Sequence, residues 1–208
     1  MSDAGDNGPH GPRKGTSDMK RKTKITLAAL SAALVVLSAA PRLVQAEDSQ
    51  TIALKDDIRT VVLHGDGTAL KLTTHEGTTR EALLITEDNI GCPLTSSVQA
   101  DGDQLQISVE KGPMRIGFWC DPDVTLSLPE GLNIEIGLSN LAADIKGSFE
   151  RVSIRTGQSV IDFDGRAAHF TLEGRRAAVR LNFPRDMPRE AVELDVDTIL
   201  SQVTFNGV

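Results

Sequence analysis

Aspartates recur at a regular spacing in the second half of this sequence, and stacked aspartates can build a calcium site. Asp144 and Asp162 are 18 residues apart, and Asp164 follows two residues later. Calcium-binding nonapeptide repeats also need paired glycines in each turn, so that carbonyls and carboxylates form an oxygen cage. The sequence has no Gly-Gly pair, and Ser153 and Thr171 stand at the equivalent positions. We therefore expect no metal and no cofactor, and we interpret the aspartates as an outward polar column.

Arginines are the second group of residues that could do chemistry. On a β-helix, a basic strip can face an acidic polysaccharide, and two opposed carboxylates can hydrolyse one. Solvated arginines without a binding role explain the same residues, and we expect Arg180 to form an exposed ion pair with Asp162. The arginines of this possible interaction surface are Arg155, Arg166, Arg175, Arg176 and Arg180.

The sequence contains no motif that specifies an enzyme. His64, His75 and His169 are far apart and lack the spacing of metal ligands. There is no G-x-S-x-G motif, which would mark a serine nucleophile, and no glycine-rich loop opens a helix that could bind a nucleotide. We therefore expect a protein that is not an enzyme, and we name no catalytic residue.

The first 46 residues have the organisation of a leader that is removed on export. Residues 1–18 are polar and rich in glycine and proline, which is typical of a disordered lead. Residues 19–46 have the three parts of a secretory signal peptide, namely a basic cluster, an apolar run and the small-residue site VQA. Cleavage after Ala46 would leave Glu47 as the first residue. The mature protein is then expected in the periplasm or at the cell surface, and it meets a membrane only before cleavage.

Two alternatives to this leader remain open from the sequence. A retained membrane anchor is one of them, but a spanning helix needs roughly 20 apolar residues. The charge-free run over residues 25–40 has only 16 residues, which favours cleavage. Translation from Met19 instead of Met1 is the other alternative, and it would remove the polar lead.

Two cysteines, Cys92 and Cys120, lie in the part that follows the signal peptide. In an exported protein such a pair usually forms a disulfide. A metal pair or a reactive thiol is the alternative, but no histidine is near either cysteine in the sequence and there is no C-x-x-C motif. Phe118 and Trp119 precede Cys120, and they either pack against the disulfide or form a recognition patch for a protein or a sugar ring.

The predicted mature chain is strongly acidic. Residues 47–208 carry 15 Lys and Arg residues and 26 Asp and Glu residues, which gives a net charge of −11. This charge argues against nucleic acid as a partner, because phosphates need a basic surface. A segment of this length suits a single domain. Its core must be aliphatic, since the whole sequence has no Tyr, one Trp and six Phe.

Strand signals dominate after residue 50, and no segment shows the apolar stripe of an amphipathic helix. We interpret residues 47–208 as one all-β domain, in which residues 47–123 form an N-terminal β-rich cap. Short β-rich runs separated by turn residues occur at 51–55, 60–65, 68–75, 81–88, 104–110, 116–120 and 123–131.

From residue 124 onward the sequence predicts a repeat. Apolar residues in pairs separated by one polar residue recur every nine residues, at Ile134/Ile136, Ala143/Ile145, Val152/Ile154, Ile161/Phe163, Phe170/Leu172 and Val179/Leu181. A nine-residue unit cannot bury its apolar face unless its neighbours stack on it. After an insertion of four residues within PRDMP, the period resumes at Val192/Leu194 and Ser201/Val203.

This period favours a β-solenoid or β-helix-like stack over residues 124–208. A weaker period of 18 residues, in which DIKG (144–147) matches DFDG (162–165), indicates two segments in each coil. An ordinary β-meander with loops of equal length is the alternative. In either case the paired apolar residues are interpreted as core.

The segment LSLPEGLNIEIGLSNLAADIKGSFERVSIRTGQSVIDFDG resembles the bacterial putative-adhesin domains of unknown function. In those domains an LPxG step leads into short strands that are separated by glycine-containing turns. The resemblance covers roughly residues 124–206. GLSN, RTGQS and EGRRA replace the usual glycine-rich turns here. The resemblance implies a β-solenoid of the cell envelope and supplies no catalytic residue.

The sequence therefore predicts an exported, non-enzymatic, adhesin-like β-solenoid protein that acts as a structural or interaction module of the bacterial envelope. Its partner would be an envelope protein or a glycan. Two alternatives remain, a polysaccharide-binding or polysaccharide-active β-helix protein and an interaction domain for envelope stress or signalling.

Overall fold

The computed structural model of the chain describes residues 47–87, 92–112 and 122–207, which belong to one compact unit. This described part is all-β, as predicted, and a 3-10 turn at Arg189–Ala191 precedes the last strand. The strands are β1 (Glu47–Ala53), β2 (Thr60–Gly65), β3 (Thr68–His75), β4 (Glu81–Glu87), β5 (Leu94–Asp101), β6 (Gln104–Lys111), β7 (Asp123–Pro129), β8 (Asn133–Pro184) and β9 (Val192–Gly207).

All these strands belong to one curled sheet, with the order β1-β4-β7-β3-β8-β2-β6-β5 and with β9 paired to β8. The predicted runs at 60–65 and 68–75 are β2 and β3 with unchanged bounds. The predicted leader and the run at 116–120 lie outside the described residues. Within the described part, no helix is long and apolar enough to cross a membrane.

β8 contains 52 residues, and it cannot be straight. An extended strand of that length would span about 170 Å. Side chains 18 residues apart nevertheless touch along it. Arg155 Nε donates a hydrogen bond of 2.8 Å to Glu173 Oε2, and Asn182 Nδ2 donates one of 2.8 Å to Asp164 Oδ1. The strand therefore turns corners and passes beside itself after 18 residues.

Glycines lie where successive passages of β8 approach most closely. A Cβ atom on Gly174 would lie 2.4 Å from the carbonyl oxygen of Thr156, and one on Gly165 would lie 2.0 Å from that of Gly147. In both pairs the two residues are 18 apart in sequence. A side chain at these positions would push the passages apart, so the absence of Cβ permits the close approach.

β2 and β3 join this arrangement although they precede β8 in the sequence. β2 and β3 both pair in parallel with β8, with Val61 opposite Ile134 and Leu70 opposite Ala143. Val61 and Leu70 are nine residues apart, as are Ile134 and Ala143. The nine-residue spacing thus also occurs within the part that the sequence predicted as a cap.

Two sets of segments follow from these pairings and from the contacts between residues 18 apart within β8, and they alternate along the chain. The A segments are β2, β6 and residues 133–138, 151–156, 169–174 and 192–197. The B segments are β3, β7 and residues 141–147, 159–165, 177–183 and 198–205. In both sets inward residues alternate with outward residues, as strand geometry requires.

The inward residues form one apolar core. Phe163, Phe170 and Phe183 contact each other in it with ring centroids 5.0–5.6 Å apart. Aromatic pairs at such distances add to the stabilisation from burial. The core role predicted for six residues in the middle of the repeat is confirmed, because each is at most 2% exposed: Val152, Ile154, Ile161, Phe163, Phe170 and Leu172.

Gly174→Ala is expected to destabilise the fold by about 1–3 kcal/mol, because the new Cβ overpacks the Thr156 carbonyl. For a domain of this size the melting temperature should fall by roughly 2–10 °C. Gly137→Ala is the matched control, since its Cβ would meet nothing nearer than 4.0 Å. Thermal unfolding followed by circular dichroism measures both variants. Equal melting temperatures would contradict the close passage at Gly174.

Candidate functional site: a groove across the outer face of the B segments

A groove of about 910 Å³ runs across the outer face of the B segments. It extends from Asp123 at the start of β7 to Leu200 and Gln202 on β9. Because it crosses the strands, its floor consists of outward residues that occupy the same position in successive segments. Two rows of such residues line it, one apolar and one polar.

The apolar row is made of small and branched side chains: Ala69, Ala142, Val160, Ala178 and Leu200. Ala142, Val160 and Ala178 follow one another at intervals of 18 residues. Ala69 on β3 lies opposite Ala142, and Leu200 on β9 lies opposite Ala178. Val160 is 62% exposed and Leu200 is 77% exposed. Large apolar side chains that cluster on an outward face often mark an interaction site.

The polar row runs beside the apolar row, and its members are Lys71, Asp144, Asp162, Arg180 and Gln202. Arg180 Nε donates a hydrogen bond of 3.1 Å to Asp162 Oδ1, and Nη2 of the same arginine bonds Oδ2. The predicted ion pair between Asp162 and Arg180 is therefore confirmed. The hydrogen bond from Arg180 lowers the pKa of Asp162, and the same bond raises the pKa of Arg180.

Asp144 is the most unusual member of the polar row. Its Oδ2 accepts a hydrogen bond of 3.1 Å from Lys146 Nζ, whereas its Oδ1 is buried without a hydrogen-bond partner. A buried carboxylate oxygen without a partner costs free energy. A donor from a molecule in the groove would satisfy it, so Asp144 is a candidate contact.

A second depression of about 630 Å³ lies on the outer face of the A segments. Arg155 and Glu173 line it and form an ion pair, with His64 and Glu135 nearby. The hydrogen bond from Arg155 lowers the pKa of Glu173, and the same bond raises the pKa of Arg155. In this depression Arg155 and Glu173 compensate each other, and Glu135 adds a second carboxylate.

The structure does not gather the five predicted arginines at one place. Arg155 lines the depression on the A segments and Arg180 lines the groove on the B segments. Arg166 Nη2 lies 2.7 Å from both carboxylate oxygens of Asp186 and lowers the pKa of that carboxyl. Arg175 and Arg176 are exposed. The role of these arginines in binding stays a prediction.

The predicted disulfide lies partly outside the described residues. Cys92 is buried, and the described part contains no free cysteine. Cys120, Phe118 and Trp119 lie outside the described residues. The pairing of Cys92 with Cys120 and the aromatic recognition patch therefore stay predictions.

Metal-ligating side chains do not cluster within residues 47–87, 92–112 and 122–207. No group of three or more His, Cys, Asp or Glu side chains there is placed to hold a metal ion. His75 Nδ1 lies 3.3 Å from Ser127 Oγ, a contact that the sequence did not indicate. No carboxylate of the described part hydrogen-bonds to His75, so this pair lacks the third member of a triad.

The apolar row of the groove was missed in the sequence, although a signal for it exists. Ala142, Val160 and Ala178 recur every 18 residues at the position just before an inward residue. The nine-residue period hides this row, because the alternate units carry polar residues there, such as Arg151 and His169. A period of 18 residues separates the A segments from the B segments, and the apolar row is visible only at that period.

No family model matches the chain, and no curated protein matches it. Among solved structures, a putative cell adhesion protein from Clostridium sporogenes is 10% identical, with a TM-score of 0.41, over 78% of this chain and 98% of that one. A putative adhesin from Bacteroides fragilis is 10% identical, with a TM-score of 0.34, over 78% and 97%. One from Parabacteroides merdae is 10% identical, with a TM-score of 0.29, over 77% and 79%.

These neighbours are adhesion proteins by name, which is the class that the sequence motifs resemble. The identities and TM-scores are too low to carry any argument about what this chain binds.

Asp162→Asn is expected to reduce stability slightly at pH 7, because the pair with Arg180 is exposed and such pairs contribute little. The lowered pKa of Asp162 means that the contribution is present above the ordinary carboxyl pKa and is lost as the pH falls through the lowered value. The difference from wild type should therefore shrink below about pH 4. Urea unfolding at pH 7 and below about pH 4 measures the free energy of unfolding of both proteins, with Asp56→Asn as the control variant. If Asp162→Asn lowers that free energy equally at the two pH values, the pH-dependent contribution of the Asp162–Arg180 pair is refuted.

Proposed function

We propose that this chain is an exported, non-enzymatic, adhesin-like interaction protein of the bacterial cell envelope. In this proposal it is built as a β-solenoid of 18-residue coils, each containing two nine-residue segments. The groove across the B segments is the observation that carries the proposal, because it presents an apolar row and a charged row on a stiff surface of paired strands.

The solenoid interpretation is supported by contacts between residues 18 apart. The ion pairs Arg155–Glu173 and Arg180–Asp162 and the bond between Asn182 and Asp164 all have this separation. The parallel register of β8 with β9 extends the same order, with 22 residues between partners such as Leu172 and Leu194. The extra four residues are the insertion within PRDMP.

A protein segment is the occupant that fits the groove best. The described residues that line it include no aromatic side chain, whereas sugar rings commonly stack on aromatic faces. Burial of Val160 and Leu200 would contribute favourable free energy at roughly 25 cal/mol for each Å² of apolar surface. The row of charges beside them, with the unpartnered Oδ1 of Asp144, would fix the register of the bound segment.

The function of the groove can be tested by site-specific photo-crosslinking in cells that express the full chain. A photoreactive residue at Val160 is expected to capture an envelope protein, and Leu200→Lys in the same chain should abolish that capture. A photoreactive residue at Lys55, which is exposed outside the groove, is the control. No capture at Val160, or equal capture at the two sites, would overturn the proposed role of the groove.

The two alternative functions, a polysaccharide-active protein and a domain for envelope signalling, predict different experimental results. Product formation from a panel of acidic and neutral polysaccharides would support a polysaccharide-active protein and would overturn the non-enzymatic proposal. Capture of a signalling protein, lost with Leu200→Lys, would support the groove but assign the protein to envelope signalling instead of adhesion.

Export can be tested independently of binding. Mass spectrometry of the protein from the envelope fraction is expected to give Glu47 as the first residue. Ala46→Arg should leave the leader attached, because the peptidase reads small residues there, whereas Ala46→Gly should be cleaved normally. An intact leader on the wild-type protein in the cytoplasmic fraction would contradict export.

A further inference from the structure

The core is open at β9, the last strand of the stack. Among the described strands β9 pairs only with β8. Ile199 and Val203, its inward residues, are 37% and 36% exposed, although Ala177 and Leu181 opposite them on β8 are 9% and 0% exposed. No strand of the described part covers the inward side chains of β9.

The opposite end of the stack is covered. β6 and β7 lie at that end. β5 pairs with β6 and β4 pairs with β7, both in the antiparallel direction. Their inward residues are fully buried, as Ile107 and Leu126 show. Terminal coils of stacked repeats need such a cover. The described strands therefore supply a cover at one end, while none of them pairs with the outer edge of the 16-residue strand β9.

Acidic side chains line the outer face of the first half of β9. Glu193, Asp195 and Asp197 alternate there with half-buried apolar residues, and all three are exposed. In the described part of the chain none of the three forms an ion pair. Asp195 lies opposite Glu173, whose charge is already compensated by Arg155. Arg175 on β8 is next to Asp197 in the register, but it forms no ion pair with it in the described part, so the edge carries three carboxylates that no salt bridge compensates.

We propose that the β9 edge accepts an extended segment of a partner protein as an added strand. The segment alternates apolar and basic residues. Its main chain pairs with the free edge of β9, as in other cases of strand addition. Its apolar side chains cover the open core at Val192, Leu194 and Val196, and its Lys or Arg side chains lie beside Glu193, Asp195 and Asp197. This site shares Leu200 and Gln202 with the groove but does not depend on it.

Charge decides between this occupant and a second copy of the chain. A second copy brings the same acidic row, and like charges on neighbouring strands are unfavourable. It also brings a net charge of −11 on residues 47–208. Head-to-tail pairing would use β1 or β5, the outer strands at the other end, and neither strand carries a basic side chain. A basic strand meets none of these obstacles.

Fluorescence anisotropy with two labelled octapeptides, (Val-Lys)4 and (Val-Glu)4, tests the proposal on the purified protein. We expect saturable binding of (Val-Lys)4, weakened by salt, and new protection of β9 amides in hydrogen exchange. The variant E193K/D195K/D197K should bind (Val-Lys)4 about tenfold more weakly or worse and should gain binding of (Val-Glu)4. This gain of binding also shows that the variant is folded.

The control is D56K/D57K/E76K, which changes the net charge equally at exposed residues away from β9. It should keep the preference for (Val-Lys)4, and so should Val160→Glu in the groove. The proposal is overturned if (Val-Lys)4 does not bind, if both triple variants lose it equally, or if Val160→Glu abolishes binding. A dimer in sedimentation velocity that E193K/D195K/D197K strengthens would assign the edge to a second copy instead.

Discussion

The close in-register approach of successive passages of backbone is the constraint on which the rest of this structure depends. Residues 18 apart lie side by side, so each position of the coil becomes a column in space. Inward columns are mainly apolar, because a buried polar member needs a hydrogen-bond partner; Thr156 and Ser159 are among the few exceptions. In an outward column opposite charges can pair, as Arg155 does with Glu173 and Arg180 with Asp162.

The sequence predicts the all-β class and the positions of individual strands because strand alternation and turn residues are local signals. β2 and β3 were predicted with correct bounds, and the inward role of Val152 to Leu172 follows from the period alone. The ion pair of Asp162 with Arg180 was also predictable, since it needs only the 18-residue separation. What the sequence does not contain is which distant segments become neighbours. The parallel pairing of β2 with both β6 and β8 is of this kind.

The candidate surfaces were harder to predict for the same reason. The groove depends on Ala69 lying beside Ala142, and these residues are far apart in the sequence. Ile199 and Val203 are exposed because no described strand lies beyond β9, whereas their sequence pattern is that of core. In both cases a residue type that normally indicates burial is exposed, and only the order of the strands reveals it.

The four-residue insertion before β9 shows how the stack tolerates change. Residues 185–188 form the corner between β8 and the 3-10 turn, where Met187 is buried in the core, and β9 still returns with Leu194 beside Leu172. The corner therefore absorbs a length difference that would shift every side chain to the wrong face if it fell within a segment. A corner of this scaffold can thus lengthen without a change in strand register, and the added residues can themselves contribute to the interior.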